Sequence, residues 1–166
     1  MLIFTRSKYN DTKMNQEICW SLKSFEELST EELYQLLQKR QDVFILEQSC
    51  RYPDLDDKDK ITLHLMGWIN GELAAYSRIF PANTLFENEA SFGRVLTNAA
   101  YRKLGIGKAL VQELIDVIEN RLNTPIIRIE AQYYLVRFYE DFGFKAYGET
   151  FMDAGVEHIM MVRGIK

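Results

Sequence analysis

The sequence has few of the residues that mark disulfide-rich and zinc-binding proteins. It contains two cysteines, Cys19 and Cys50, which lie far apart and form no C-x-x-C pair. Isolated cysteines are typical of reduced thiols in a cytoplasmic protein, and adding His64 and His158 gives no zinc-ligand spacing. We therefore expect a cytoplasmic protein with neither a disulfide framework nor a metal site.

The sequence also lacks an excess of positive charge and long apolar runs. The formal net charge of its 166 residues is −4, which gives no general positive field for nucleic acid. No apolar run approaches the ~20 residues of a membrane span. We expect neither nucleic acid nor a membrane as a partner. The 47% apolar and 13% aromatic residues instead indicate a globular domain with a substantial core.

The pattern of apolar residues predicts one domain over residues 16–166, preceded by a loose extension over residues 1–15. A capping box at Ser29 and Glu32 predicts a helix start, and Asn70-Gly71 predicts a hairpin turn. Strands are expected at residues 17–23, 62–69, 72–80, 90–97, 125–131, 145–151 and 156–163, and helices after Ser29 and at 108–122 and 133–142. This order predicts an α/β fold, with a mixed, twisted sheet of six or seven strands and helices on both faces.

A glycine loop, Arg102-Lys103-Leu104-Gly105-Ile106-Gly107 followed by Lys108, joins the strand at 90–97 to the next helix. Glycines let the backbone approach a ligand closely, and the first turn of a helix has free N–H groups and a partial positive charge. Together with the three cations, these groups predict a pyrophosphate site.

Two common phosphate motifs do not fit this loop. A P-loop requires Gly at position 102 and Ser or Thr at position 109, where the chain has Arg102 and Ala109. The dinucleotide fingerprint requires a small residue where Leu110 stands. What remains is R-x-x-G-x-G between a strand and a helix. From these six residues alone, a helix that merely begins with a glycine-containing loop and solvated cations stays an alternative.

The R-x-x-G-x-G loop resembles motif A of the GNAT acetyltransferases, which binds the pyrophosphate of acetyl-coenzyme A. Further stretches between residues 33 and 161 are similar to the ElaA family of GNAT-type N-acetyltransferases: LYQLLQKRQDVFILEQSCRYPDLDDKD, AYSRIF, GRV, AQYYLVRFYEDFGF and GVEHIMM. The resemblance departs at residues 152–159, where a proline common in the family is missing. It implies the GNAT fold, acetyl-CoA as co-substrate and cofactor contacts at Val95, Leu96, Thr97, Arg102, Lys103, Leu104, Gly105, Ile106, Gly107, Lys108 and Tyr139.

The resemblance also implies catalytic residues. Tyr139 lies where GNAT enzymes commonly place a tyrosine near the thioester sulfur, and a phenol with a pKa of ~10 can protonate a leaving thiolate. The alternative is that Tyr139 packs as one more aromatic residue of its helix. Glu130, at the end of a strand, is the expected general base, and a water relay would need no single base. Further candidates for acceptor contacts or the base are Glu47, His64, Arg94 and His158.

Two charged features have structural interpretations as well. Arg94 is unusual inside a strand and is expected to pair with an acid such as Glu47 or Glu130, or to bind substrate. The aspartates at 54, 56, 57 and 59 indicate a solvated loop, because a calcium loop starting at Asp54 would need Gly and Glu where Asp59 and Leu65 stand.

The sequence therefore leads to two functional hypotheses. One is an acetyl-CoA-dependent N-acetyltransferase acting on an unidentified amine, either a small molecule or a protein. The other is a CoA-binding sensor or interaction module without turnover. Either form is expected as a monomer or a homodimer.

Overall fold

The computed structural model describes residues 5–7, 17–49 and 52–164, with the side chains of 5–7 left aside. Its strands are β1 (Thr5–Ser7), β2 (Ile18–Ser24), β3 (Leu63–Ile69), β4 (Glu72–Phe80), β5 (Ser91–Thr97), β6 (Ile127–Gln132), β7 (Lys145–Asp153) and β8 (Val156–Arg163). Its α-helices are α1 (Thr30–Arg40), α2 (Ile106–Asp116) and α3 (Val136–Glu140). Short π-helical turns extend α1 over Gln41–Glu47 and α2 over Val117–Arg121.

The strands form two antiparallel sheets, one of five strands in the order β1-β2-β3-β4-β5 and one of three in the order β6-β8-β7. A parallel bridge between Ala90 and Ile127 joins them. There the Ala90 amide donates to the Ile126 carbonyl at 3.0 Å, and the Arg128 amide donates to the Ala90 carbonyl at 2.9 Å. Beyond this bridge β5 and β6 are not paired, so a gap opens between their carboxyl ends.

Local sequence signals place the element ends. The Ser29 hydroxyl accepts from the Glu32 amide at 3.2 Å, and the Glu32 carboxylate accepts from the Ser29 amide at 2.8 Å, which completes the expected capping box. Asn70 and Gly71 both have positive φ, at 51° and 81°, as the β3–β4 hairpin turn requires. Helix α2 begins at Ile106, two residues earlier than expected, because left-handed Gly105 is its N-cap.

Apolar side chains pack on both faces of the larger sheet. On one face, Leu110, Leu114 and Ile118 of α2 and its extension belong to the larger core cluster. On the other face, Leu36 of α1 packs in a smaller cluster with Tyr76 of β4. The predicted fold class, a mixture of α and β structure with helices on both faces, is thereby confirmed. The expected single sheet of six or seven strands is instead eight described strands in two sheets, because β5 and β6 meet only at one bridge.

The segment expected to be an extension contains one described element. Thr5–Ser7 pairs antiparallel with β2, in the register Thr5 to Trp20. The rest of residues 1–15, and Cys50, lie outside the described residues. Within the described ranges, no helix is both long enough and apolar enough to cross a membrane.

Candidate active site

A cavity of about 580 Å³ occupies the gap where β5 and β6 part. Phe44 and Tyr52, from the α1 side of the sheet, line it together with Phe92 and Tyr139, from the α2 side. The space therefore connects the two faces of the molecule between the strands. Two reactants could enter from opposite faces and meet at the gap.

A β-bulge shapes the β5 wall of this cavity. The β4–β5 register shifts between Tyr76, which faces Leu96, and Arg78, which faces Gly93. At this bulge Arg94 has a left-handed backbone conformation, with φ = 54°. The Ser77 hydroxyl donates to the Gly93 carbonyl at 2.9 Å. Bulges redirect side chains and terminate pairing, often beside active sites. Here the bulge directs Arg94 and Val95 to the cavity.

The glycine loop follows the carboxyl end of β5. Lys103 and Gly105 have φ of 64° and 76°, and no side chain among the described residues caps α2. The helical hydrogen bonds start with the Ala109 amide donating to the Gly105 carbonyl at 3.1 Å, so the earlier amides of the first turn have no partner within the helix. Ile106 is buried and Leu104 half-buried against the core, so these two can offer only their backbone to a ligand.

The cations of the loop have different partners. Arg102 donates to both oxygens of Glu47, at 2.8 and 2.7 Å, and its Nε donates to the Thr97 carbonyl at 3.3 Å. Lys108 points to Asp141, with 3.4 Å between Nζ and the carboxylate. Arg102 is therefore held by Glu47 and Thr97 before the start of α2, whereas Lys108 lies toward the end of α3. The loop is arranged to bind an anion with backbone amides and the side chain of Arg102.

Tyr139 is 5% exposed and lines the cavity from α3. Its ring packs against Phe138, Phe144 and Phe92, with centroid distances of 5.2, 5.9 and 6.2 Å. Burial is the main cause that raises the pKa of its hydroxyl, and Tyr134 adds to it. The ring is thus packed as a core aromatic, and the residue also borders the cavity, while its role as general acid stays a prediction.

Comparisons with known proteins assign this arrangement to a family. Residues 22–164 match the acetyltransferase (GNAT) domain. The chain belongs to the GNAT acetyltransferase family. It is 41% identical over 147 residues to UPF0039 protein sll0451 of Synechocystis, covering 88% of this chain and 95% of that protein. It is 34% identical over 148 residues to Protein ElaA of Escherichia coli, covering 88% and 96%.

Solved structures agree with this GNAT assignment. The crystal structures of Escherichia coli ElaA and of an acyl-CoA N-acyltransferase from Pseudomonas aeruginosa each give a TM-score of 0.80 at 35% identity, covering 88% of this chain and 99% of that chain. The resemblance to ElaA and the GNAT fold expected from the sequence are confirmed.

The remaining predicted residues of this GNAT domain separate into two groups. Glu130 is exposed, His158 is half-buried and stacks on Phe151, and both line the cavity with Arg94, Val95 and Tyr139. The group that does not line it comprises Glu47, His64, Leu96, Thr97 and the loop residues 102–108. The candidate site is thus the cavity between β5 and β6, with the glycine loop beside it at the carboxyl end of β5.

His64 must be removed from the acceptor candidates. It is fully buried, Nδ1 is 2.9 Å from the Tyr76 hydroxyl, and Nε2 is 3.0 Å from the Asp59 carbonyl. Burial lowers its pKa, with the nearby arginines acting in the same direction, so the ring is a neutral part of the core. It reaches no acceptor.

The expectation of a solvated aspartate loop is wrong for three of its four members. Asp59 accepts from Arg40 Nη1 at 2.6 Å and from Arg78 Nη1 at 3.1 Å. Asp56 accepts from Arg78 Nη1 at 2.6 Å and from Nη2 at 2.9 Å, and Asp54 accepts from Arg40 Nε at 2.8 Å. Only Asp57, paired with Lys60 at 2.6 Å, is the expected surface residue.

This ion network also corrects the expected partners of Arg94. Its Nε donates to Asp54 at 2.7 Å, and its guanidinium lies 4.5 Å from the Tyr52 ring centroid, rather than on Glu47 or Glu130. Burial alone would raise the pKa of Asp56, but the hydrogen bonds and charge of Arg78, with the charge of Arg94, lower it to about 2. The network fixes the loop that forms one cavity wall.

The sequence contains a signal for the burial of two arginines of this network. Arg40 lies four residues after buried Leu36 on α1, and Arg78 alternates with buried Tyr76 and Phe80 on β4. A charged residue at the spacing of the buried residues, whether on a helix or on a strand, lies in the core and needs a buried partner. The described residues contain no group of three or more His, Cys, Asp or Glu side chains arranged to hold a metal ion.

Proposed function

We propose that the protein is an acetyl-CoA-dependent N-acetyltransferase that acts on an amine, from a small molecule or a protein. The supporting observation is the cavity between β5 and β6, which Tyr139 borders from one face of the sheet and Arg94 from the other. An acyl group in this gap would be reachable by an amine from the α1 side.

The cofactor would bind along β5. Its pyrophosphate would accept from the free amides at the start of α2 and from Arg102, since both offer donors to an anion. Its pantetheine arm would run beside Val95, Leu96 and Thr97, whose backbone edge faces the gap without a paired strand. A backbone N–H of this edge would polarise the thioester oxygen as negative charge develops there.

The transfer itself needs few groups. The amine nitrogen attacks the thioester carbon, and collapse of the tetrahedral intermediate breaks the C–S bond. Tyr139 gives its phenolic proton to the departing thiolate, and Glu130, directly or through water, takes a proton from the amine. Holding both reactants at the gap lowers the activation free energy the most, by up to about 7–11 kcal/mol in favourable intramolecular models.

The cofactor assignment is tested by thermal unfolding. A ligand that binds only the folded state raises the melting temperature by mass action, so acetyl-CoA should raise it and ATP or NAD at equal concentration should do much less. Stabilisation by ATP without stabilisation by acetyl-CoA would refute the proposed cofactor. A cytoplasmic location belongs to the same proposal, since Cys19 is a free thiol.

A further inference from the structure

The two walls of the cavity carry opposite charges. Lys58, from the loop before β3, and Arg78, on β4, line one wall. Glu130, on β6, and Asp153, at the end of β7, line the other, and both are exposed. The first wall also carries Asp56, which is paired with Arg78, so a ligand that spans this cavity meets a net positive side and a side with two carboxylates. This suits a molecule with two opposite charges.

Arg78 has an unused donor. The side chain is 2% exposed, and its terminal nitrogens are held by Asp56 and Asp59. Its Nε is buried and has no hydrogen-bond partner among the described residues. An unsatisfied buried donor is costly, and an acceptor oxygen that reaches it removes this cost. Arg78 lines the cavity, so a ligand that shifts the side chains covering Nε can supply that oxygen.

Lys58 provides a second group next to Arg78. It is exposed, and its Nζ has no partner in the described ranges 17–49 and 52–164, whereas its amide donates to Asp56 at 3.2 Å. That contact places its backbone beside the carboxylate that holds Arg78. Lys58 and the ion network that holds Arg78 together carry one unit of positive charge, from four cations and three carboxylates: Arg40, Arg78, Arg94 and Lys58 against Asp54, Asp56 and Asp59.

We propose that Lys58 Nζ and Arg78 Nε bind a carboxylate of the acceptor, while its amine lies toward Glu130 and Tyr139. The acceptor is then a small amine that also carries a carboxylate. A small molecule is favoured because Arg78 is almost completely buried, so the carboxylate must enter the cavity to reach it. This inference rests on the proposed acetyl transfer and deepens it by naming the substrate class.

Binding to the CoA-loaded protein tests this carboxylate site. The probes are linear ω-amino acids of increasing chain length, their methyl esters and the matched n-alkylamines, measured by calorimetry. A hydrogen-bonded carboxylate should make at least one ω-amino acid bind roughly tenfold or more tightly than its ester and its alkylamine. Equal binding of acid, ester and alkylamine over the whole series would overturn the site.

Lys58→Met is the deciding variant, because an exposed lysine can be replaced without disturbing the fold. It should remove most of the preference for the acid and leave binding of the ester unchanged. Lys60→Met is the matched control, since Lys60 lies two residues away and pairs outside the cavity with Asp57. Equal effects of the two variants would also overturn the site.

The two proposals fail in different ways. If acetyl-CoA transferred its acetyl group to none of the amines, the proposed function would be refuted, however tightly the ω-amino acids bind. Transfer that is as fast to the alkylamine as to the best acid, measured as kcat/KM, would overturn only the carboxylate site. A preference for the acid in both binding and transfer supports both.

Discussion

Arg102 of the glycine loop is bound at both terminal nitrogens by Glu47, at 2.8 and 2.7 Å. The two residues are 55 positions apart and join the turn that follows α1 to the start of α2. Hydrogen bonding to Glu47 is the main cause that raises the pKa of Arg102. The carboxylate thus holds the guanidinium that we assign to the pyrophosphate.

Replacing this carboxylate should strengthen cofactor binding. Glu47→Gln removes the anion that competes for Arg102, so acetyl-CoA affinity should rise. Exposed ion pairs contribute up to about 1 kcal/mol, which limits the gain to roughly fivefold. Arg102→Gln should lower the affinity, and calorimetry measures both effects.

Glu119→Gln is the control for this experiment. It removes a partner of Arg163 at the opposite end of α2 and should leave acetyl-CoA affinity unchanged. If neither Glu47→Gln nor Arg102→Gln changed the affinity, Arg102 would have no part in phosphate binding.

Gly107→Ala should weaken cofactor binding without unfolding the protein. An added Cβ would meet only Thr97 Oγ1 at 3.6 Å, an ordinary contact, and Ala favours the helix by about 1 kcal/mol over Gly. The methyl group would, however, obstruct the approach of a phosphate to the first amides of α2. We expect roughly tenfold lower acetyl-CoA affinity or more, with an unchanged or higher melting temperature.

Position 107 is the cleaner site for this test than position 105. Gly105 has φ = 76°, so any side chain there strains the backbone. A loss of stability could then not be separated from a loss of binding. Gln38→Ala, at an exposed position of α1, is the control for helix stabilisation. Full acetyl-CoA affinity in Gly107→Ala would refute the assignment of these amides to the phosphate.

The buried ion network should contribute more to the free energy of unfolding than the exposed pair of Asp57 and Lys60 beside it. Asp59→Asn leaves fully buried Arg40 without one of its carboxylates, and breaking such a pair costs about 3–5 kcal/mol. Asp57→Asn changes an exposed residue and should cost less than about 0.5 kcal/mol. Urea unfolding measures both free energies, and similar values would show that the network is no more than a surface feature.

Local signals predicted the elements of this fold well. The capping box at Ser29, the Asn70-Gly71 turn and the glycine loop each act over a few residues, and each lies where the sequence indicated. The family resemblance added the fold. The gap between β5 and β6 follows from a single bridge at Ala90, which no local pattern reports.

Side-chain partners across the molecule were much harder to predict. Arg94 pairs with Asp54, 40 residues away, and Arg78 pairs with Asp56, 22 residues away. A single sequence shows that such charges exist but not which loop folds back onto them. His64 illustrates the same limit, because only the tertiary structure shows that both of its nitrogens are bonded.

Tyr139→Phe separates chemistry from packing. The ring and its aromatic contacts remain, so acetyl-CoA affinity should be nearly unchanged, while kcat on an active amine should fall roughly 10²-fold. Because burial raises the pKa of this hydroxyl above its ordinary ~10, Tyr139 should cause no alkaline loss of activity below that pH.

Tyr133→Phe is the matched control for this variant. It removes a hydroxyl from a half-exposed tyrosine that does not line the cavity, and it should keep wild-type kcat. Wild-type turnover in Tyr139→Phe as well would exclude Tyr139 as the general acid, although the acyl-CoA site would stand.

The most direct test of the central claim is acetyl transfer itself. Purified protein is incubated with acetyl-CoA and a panel of amines, amino acids and peptides, and released CoA thiol and acetylated product are measured together, the latter by mass spectrometry. We predict equal amounts of thiol and N-acetylated product with at least one acceptor. Tight binding of acetyl-CoA without acetylated product from any acceptor would contradict an acetyltransferase and indicate a protein that only binds acyl-CoA.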